Sequence, residues 1–395
     1  MKYGILIIDG AAGLPLPERG GRTCLELAAT PHLDGLARQG YLGLARTVPP
    51  GMEPSSACAC MSVLGYDPRI YYKGRAAIEA RSLGIPIGPD EVVFRCNLVT
   101  VAGGRLADYS GGHITTEEAG EIIKTLNEEL GGEDVIFYPG VSYRHILKLK
   151  GHAGTLQAAC TPPHDIPGQK IEKYLPQGEG SQPLRDLMAR SVGPLRGHQI
   201  NQARLARGDK PVTHIWLFWG CGRVPQMPPF AETYGLTAAL TSGVDLLRGL
   251  ALMADMEILD IPGVSDGPDS DHAAQAGGAL AALQEKDLVV IHIEAPDEAA
   301  HGGDIAAKIA AIERIDAEVV SRLRAYPGDL RLLVMPDHPT PIARRTHTAD
   351  PVPFLIWGKG VTPDGATRFT EAEAAKTGVI IEEGYKIMGR FLGEY

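Results

Sequence analysis

Two apolar runs of six residues, Leu288–Ile293 and Leu330–Met335, constrain this chain most. Each reads as a buried strand, and each is followed by a cluster of histidine and carboxylate. Asp297 and His301 follow the first run. Asp337 and His338 follow the second, with His347 a few residues on. Open α/β sheets place their chemistry in loops at the carboxyl ends of strands. Neutral imidazole together with carboxylate suits zinc, manganese or iron. A single Asp or His at a strand end is most often a cap or a turn residue. Five of them within about fifty residues form a metal-site pattern. They outnumber the donors that one four-coordinate ion needs, so two ions are expected. Asp297 and His301 are spaced i, i+4, so one helical turn can present both on one face.

With 395 residues the chain has room for two or three domains. Its hydrophobic content of 44% and charged content of 22% are ordinary for a soluble globular protein. The net charge is −10 and no run of Lys and Arg stands out, which argues against nucleic acid as a partner. No apolar run reaches the length of a membrane span, so no membrane association is expected. The opening MKYGILIIDG reads as a buried first strand, not a signal peptide. The six cysteines are scattered, and Cys58 and Cys60, the closest pair, do not have the spacing of a zinc ribbon or redox motif. Free buried thiols in a reducing cytoplasm are expected. The sequence leaves the oligomeric state open.

Along the chain, residues 3–8 form a strand that ends at Asp9-Gly10. A charge directly after a buried run is costly unless paired, so Asp9 is assigned as a metal ligand. Thr30-Pro31 opens a helix running to Arg38. Ser55 and Ser56 precede a small apolar run, Ala57 to Leu64, that should be a buried helix. A serine there can serve as N-cap. It can also be a nucleophile, because a helix N-terminus favours a phosphoryl group and a metal activates a hydroxyl. Arg75, in a basic and aromatic loop, and Arg95, in a strand, have the fork geometry that phosphate and carboxylate fit. Residues 91–205 differ in texture, with short strands, one clear helix at 117–130 and a Pro-rich loop. They read as an inserted α+β domain. Asp108, His113, Arg144 and His145 are polar residues at strand ends within it, and the first three are candidate substrate contacts. From Thr213 strands and helices alternate again: HIWLFWG, helix 243–253, MEILDI, a loop at 263–271, helix 273–284, helix 305–324, PVPFLIW, and helices 371–376 and 385–391. Residues 1–90 and 206–395 thus form one discontinuous core, with a mostly parallel sheet covered by helices.

The combination of Asp9-Gly10 after the first strand, a serine heading the next buried helix, APDEAAH and PDHPTP-x-x-x-RTHT resembles the alkaline phosphatase superfamily. Within it the chain is similar to the archaeal-type, 2,3-bisphosphoglycerate-independent phosphoglycerate mutases, including the bacterial group called "homoserine kinase type". FRCNLVTV, DYSGGHI, GVSYRHIL and TPPHDI extend the resemblance through the insertion. It implies an alkaline-phosphatase-like α/β core and two divalent ions, manganese foremost, with zinc or magnesium as alternatives. Asp297, His301 and His347 would hold one ion; Asp9, Asp337, His338 and the nucleophile would hold the other. Counting back from Leu64-Gly65-Tyr66-Asp67-Pro68, the matching nucleophile is Ser56. The implied reaction interconverts 3-phosphoglycerate and 2-phosphoglycerate through a phosphoserine, in glycolysis and gluconeogenesis. The insertion would supply the cationic groups that hold the substrate carboxylate.

The chain departs from the pattern at two places. Ala57 follows the nucleophile where the family has an acid, with Cys58 next and Cys60 at the usual polar position. Gly13 stands where the group has another acid. These departures keep two other readings open: a phosphatase or phosphotransferase on another small phosphoester, such as a homoserine kinase-like activity, and a non-catalytic metal-binding paralogue. No GxxxxGK[ST] loop is present, which weighs against an ATP-dependent kinase.

Overall fold

The oily runs of the sequence become the central strands of a sheet in the computed structural model of this chain, which describes residues 1–224, 226–267 and 269–393. In chain order the strands are β1 (Lys2–Ile8), β2 (Tyr41–Ala45), β3 (Glu91–Ala102), β4 (Arg105–Asp108), β5 (Val135–Tyr138), β6 (Arg144–Lys150), β7 (His214–Cys221), β8 (Ala238–Thr241), β9 (Glu257–Ile258), β10 (Leu288–Ile293), β11 (Leu330–Met335), β12 (Val352–Gly358) and β13 (Ile380–Ile381). They fall into two compact units, Met1–Tyr72 with Gln226–Tyr395, and Lys73–Pro225.

The first unit holds an eight-stranded sheet of order β13-β2-β12-β11-β1-β10-β8-β9. β1 lies between β11 and β10 and is parallel to both. Every residue of β10 and β11 is buried. Successive side chains point to opposite faces, so helices must cover both sides, and that is why the strands read as unbroken apolar runs. Ile8 lies opposite Ile293 and Ile7 opposite Met335. The three central strands therefore end level, and the segments after Ile8, Ile293 and Met335 leave the sheet together. The 305–324 helix is continuous but widens over Asp316–Val320, where it has π-type turns. There Asp316 accepts hydrogen bonds from the N–H groups of His32 and Leu33, at 3.1 and 2.7 Å, and so caps helix Pro31–Ala37. MEILDI shrinks to the two-residue edge strand β9. Pro268, in the expected 263–271 loop, lies outside the described residues.

The second unit is wider than the expected insertion of 91–205. Its antiparallel sheet runs β4-β3-β6-β5, and β7 pairs with β3. HIWLFWG is thus a strand of this unit and not the return of the core. Helices Thr116–Leu130 and Ser181–Arg196 cover one apolar face through Ile122, Leu126, Leu184 and Leu195. Helix Arg75–Ser82 also belongs here, because Ala76, Ala77 and Ala80 pack on Val93, Ile146 and Cys221. All six cysteines are free, and only Cys160 is partly exposed. Among the described residues no helix is long and apolar enough to cross a membrane.

Candidate functional site

The level ends of β1, β10 and β11 bring together residues that are hundreds of positions apart. Asp9 and Asp337 are fully buried, as is His338. His338 Nε2 lies 3.2 Å from Asp337 Oδ2, 3.6 Å from Asp9 Oδ1 and 3.2 Å from Ser56 Oγ. Ser56 is the first residue of helix Ser56–Val63. Ser55 is its N-cap, and Ser55 Oγ accepts the N–H of Cys58 at 3.3 Å. The two roles that spacing alone leaves open for these serines are therefore divided: Ser55 caps, and Ser56 faces the site. Gly10 is left-handed, with φ +60°, and a Cβ there would come within 2.3 Å of Asp297 Oδ1. Only glycine allows both the turn and the close approach. The Gly10 N–H donates to Asp337 Oδ1 at 3.2 Å.

Asp297 and His301 lie one turn apart on helix Ala295–Gly302. His301 Nε2 is 3.0 Å from Asp297 Oδ2 and 2.9 Å from His347 Nε2, and His347 Nε2 is 3.5 Å from the same Asp297 oxygen. These three donors converge on one point. The His347 ring stacks on His338 with centroids 3.9 Å apart, which joins the two clusters.

Hydrogen bonding assigns the tautomers. His301 Nδ1 lies 3.0 Å from the Arg345 carbonyl, which can only accept. The Thr340 hydroxyl donates to Asp297 Oδ1 at 2.5 Å, so at 3.2 Å it must accept from His338 Nδ1. Both imidazoles therefore carry hydrogen on Nδ1, which leaves Nε2 as the atom that can ligate, in His301 once its second proton is shed.

The electrostatics fit a divalent cation. Four carboxylates, Asp9, Glu294, Asp297 and Asp337, gather here, and their ion-pair partners among the described residues are all histidines. Burial, then Asp337 and Glu294, hold the Asp9 carboxyl well above its ordinary range. Burial and Asp297 push Glu294 up to about 8. Asp297 lies well below its usual range, because His301 and His347 outweigh its burial. Asp9 Oδ1 is buried without any hydrogen-bond partner. Asp9, Asp337 and His338 offer atoms within 4.8 Å of one another, and so do Asp297, His338 and His347. A buried, unpartnered carboxylate oxygen beside unprotonated imidazole nitrogens is the chemistry of a cation site.

The structure also reveals members that the sequence did not signal. His292, inside β10, and Glu294, just after it, stand beside Asp9, with His292 Nε2 2.7 Å from Asp9 Oδ2 and 3.7 Å from Glu294 Oε2. A single histidine in an otherwise apolar strand was the available signal. The departures also acquire partners. Cys60 Sγ donates to Asp337 Oδ2 at 3.4 Å, a weak substitute for a polar side chain. A Cβ at Gly13 would sit 3.7 Å from Lys308 Nζ. An acid from elsewhere, Glu371, accepts the Gly13 N–H at 3.0 Å, and its charge acts on Lys308. Lys308 itself donates to the carbonyls of Ala12 and Thr340, at 3.0 and 2.9 Å, and ties the two site loops together.

In the second unit Glu79 accepts from Arg75 at 2.7 Å and from Arg95 at 2.5 Å. Burial pushes Glu79 up, but Arg95, Arg75 and Arg144 bring it below its ordinary value. Arg75 also lies over the Trp219 ring, 5.0 Å from its centroid. His145 is buried beside this cluster, and its Nδ1 accepts from the Gly140 N–H. Burial and the Arg95 charge pull it down to about 3, so it stays neutral. Asp108 is engaged elsewhere. It accepts from the Ser110 N–H and hydroxyl and from Lys210, and pairs with Thr100, five residues along β3 from Arg95, or about 16 Å at strand rise. His113, beyond that turn, is exposed with φ +51°. The expected five-residue substrate set is therefore three arginines plus a separate turn.

Fold and site together define an α/β protein with a carboxylate and histidine cluster that could hold cations at the carboxyl ends of parallel strands. The particular family follows from similarity. A family model described as 2,3-bisphosphoglycerate-independent phosphoglycerate mutase matches residues 37–201. The chain is 48% identical to a protein of that name from Methanothrix thermoacetophila, covering 97% of both chains, and 45% identical to one from Methanosarcina barkeri, covering 96% of both. A solved structure described as PH0037 protein from Pyrococcus horikoshii is similar with a TM-score of 0.83 and 26% identity, covering 100% of this chain and 98% of that one. A cofactor-independent phosphoglycerate mutase from Thermoplasma acidophilum shares the fold, with a TM-score of 0.65, 24% identity and 99% of both chains covered. The chain belongs to the 2,3-bisphosphoglycerate-independent phosphoglycerate mutase family.

Proposed function

We propose that this chain interconverts 3-phosphoglycerate and 2-phosphoglycerate through a phosphoserine on Ser56, with two divalent cations and no 2,3-bisphosphoglycerate. The observation that carries the reading is the position of Ser56. Its hydroxyl stands at a helix N-terminus beside His338, while Ser55 does the capping. Asp297, His301 and His347 would hold one cation, and Asp9, Asp337, His338 and Ser56 the other. When bound, such ions lower the pKa of the serine hydroxyl and offset charge on the phosphoryl group. Manganese suits this carboxylate-rich set, with zinc or magnesium as substitutes.

Ser56 Oγ attacks the phosphorus of 3-phosphoglycerate. The Oγ–P bond forms, the bond to the 3-oxygen breaks, and the serine proton ends on that oxygen. Glycerate turns, and its 2-hydroxyl attacks the phosphoserine. The Oγ–P bond then breaks and Ser56 regains a proton. Arg75, Arg95 and Arg144 are matched in charge and geometry to the carboxylate that must be held during the turn. On this reading the enzyme works in the cytoplasm, in glycolysis and gluconeogenesis.

An enolase-coupled assay with 3-phosphoglycerate and Mn²⁺, without 2,3-bisphosphoglycerate, tests it. The wild type is expected to be active, and Ser56→Ala to lose at least about 10³-fold, as enzymes do without their nucleophile. A metal-loaded wild type without activity would overturn the proposal, and rapid hydrolysis of aryl phosphates by that protein would identify a phosphatase.

A further inference from the structure

We infer that His292, held by Ser242, is a positioning residue that sets the Asp9 carboxylate for cation binding; the inference rests on the reading of Asp9 as a cation ligand. His292 is 1% exposed in the apolar strand β10. Ser242 Oγ accepts the N–H of Val244 at 3.0 Å, so its own hydrogen is left for His292 Nδ1, also at 3.0 Å. Nδ1 is then the acceptor and Nε2 carries the proton. Nε2 donates it to Asp9 Oδ2 at 2.7 Å. This is the opposite tautomer from His338, whose hydrogen is on Nδ1 and whose Nε2 faces the cluster. His292 thus acts as a donor to a ligand and not as a ligand. It also divides the work of the Asp9 oxygens. Oδ2 is occupied by the imidazole, and Oδ1, buried and without a partner, lies 3.6 Å from His338 Nε2. Gln275 fixes the frame of this chain, because its side-chain amide donates to the carbonyls of Thr241 and His292, at 3.3 and 3.0 Å. Groups that orient a metal ligand in this way are worth about 10–100-fold in metal affinity.

The test is equilibrium binding of Mn²⁺, by chelator competition, to the full chain and to His292→Phe, His292→Gln and Ser242→Ala, with melting curves confirming the fold. The wild type is expected to bind two ions. His292→Phe should weaken one of them by about 10–100-fold and leave the other unchanged. His292→Gln, which keeps an N–H near the same place, should recover most of the loss, and Ser242→Ala should fall between. Two ions bound by His292→Phe at wild-type affinity would overturn the inference. So would a Gln variant no better than Phe, or a third wild-type ion that His292→Phe loses, since His292 would then be a ligand. If His292→Phe does not fold, unchanged affinity in Ser242→Ala overturns it. A wild type that binds no ion would instead overturn the cation reading of Asp9.

Discussion

In the first unit four carboxylates, Asp9, Glu294, Asp297 and Asp337, meet only histidines as ion-pair partners among the described residues, whereas in the second Glu79 stands among Arg75, Arg95 and Arg144. With all four carboxylates ionised and the imidazoles neutral, as cation ligation requires, the first cluster would carry a formal charge of −4. In the second, three guanidiniums surround one carboxylate. Burial and neighbouring carboxylates push Asp9 and Glu294 up, while Glu79 is held down, despite its burial, by its arginines. The first cluster gathers groups that could hold cations, and the second gathers cationic groups around a buried acid. On the proposed reading two divalent ions would cancel the charge of the first.

The largest effect that would break this comparison is at Arg95. It is 5% exposed, and burial pulls it down to about 10, still charged at neutral pH. Arg95→Leu removes the 2.5 Å ion pair to Glu79, and breaking a buried pair costs about 3–5 kcal/mol. Denaturant melts should show that loss, and the KM for 3-phosphoglycerate should rise. An unchanged melt and unchanged KM would reduce the arginine cluster to surface charge.

A pH titration sharpens the other side. Asp297 raises His301 to about 9, above its ordinary 6.5. In the cation-free protein this pair therefore stabilises the fold fully below pH 6.5, and the contribution fades as pH rises toward 9. A protonated imidazole cannot ligate, so cation binding must expel the proton. Mn²⁺ affinity for this site should climb up to about tenfold per pH unit until about pH 9 and then level off. Affinity independent of pH between 6.5 and 8.5 would contradict the assignment of His301.

The smallest effect is expected at Cys60. Burial, then Asp337, push its thiol well above the ordinary value, so it stays protonated and donates only weakly to Asp337. Cys60→Ala should change Mn²⁺ affinity by less than about tenfold, the low end for groups that orient a metal ligand. A larger loss would make the thiol a partner of the cluster in its own right.

The clustering of carboxylates and histidines is legible in the sequence because three apolar strands each end within a few residues of an aspartate. Apolar six- or seven-residue runs followed by Asp9, Asp297 or Asp337 need no tertiary knowledge to be noticed. The choice between Ser55 and Ser56 depended on which hydroxyl the Cys58 N–H takes, and spacing does not encode that. His292 escaped notice because its partner, Asp9, is 283 residues away. The domain boundary was missed for a related reason. HIWLFWG is equally oily whether it joins a parallel core or pairs antiparallel with β3, and only the pairing distinguishes them. Asp108 looked like a strand-end ligand, but its acceptors are spent on Ser110 and Lys210.

On the proposed reading, the first unit buries its carboxylates to receive two divalent cations. Elemental analysis of the purified protein, paired with melting curves before and after chelation, tests it most directly. The account predicts two divalent ions per chain, a lower melting temperature and no mutase activity after chelation, and recovery of both on adding Mn²⁺. An active protein without divalent ions, whose melting and activity ignore the chelator, would contradict it.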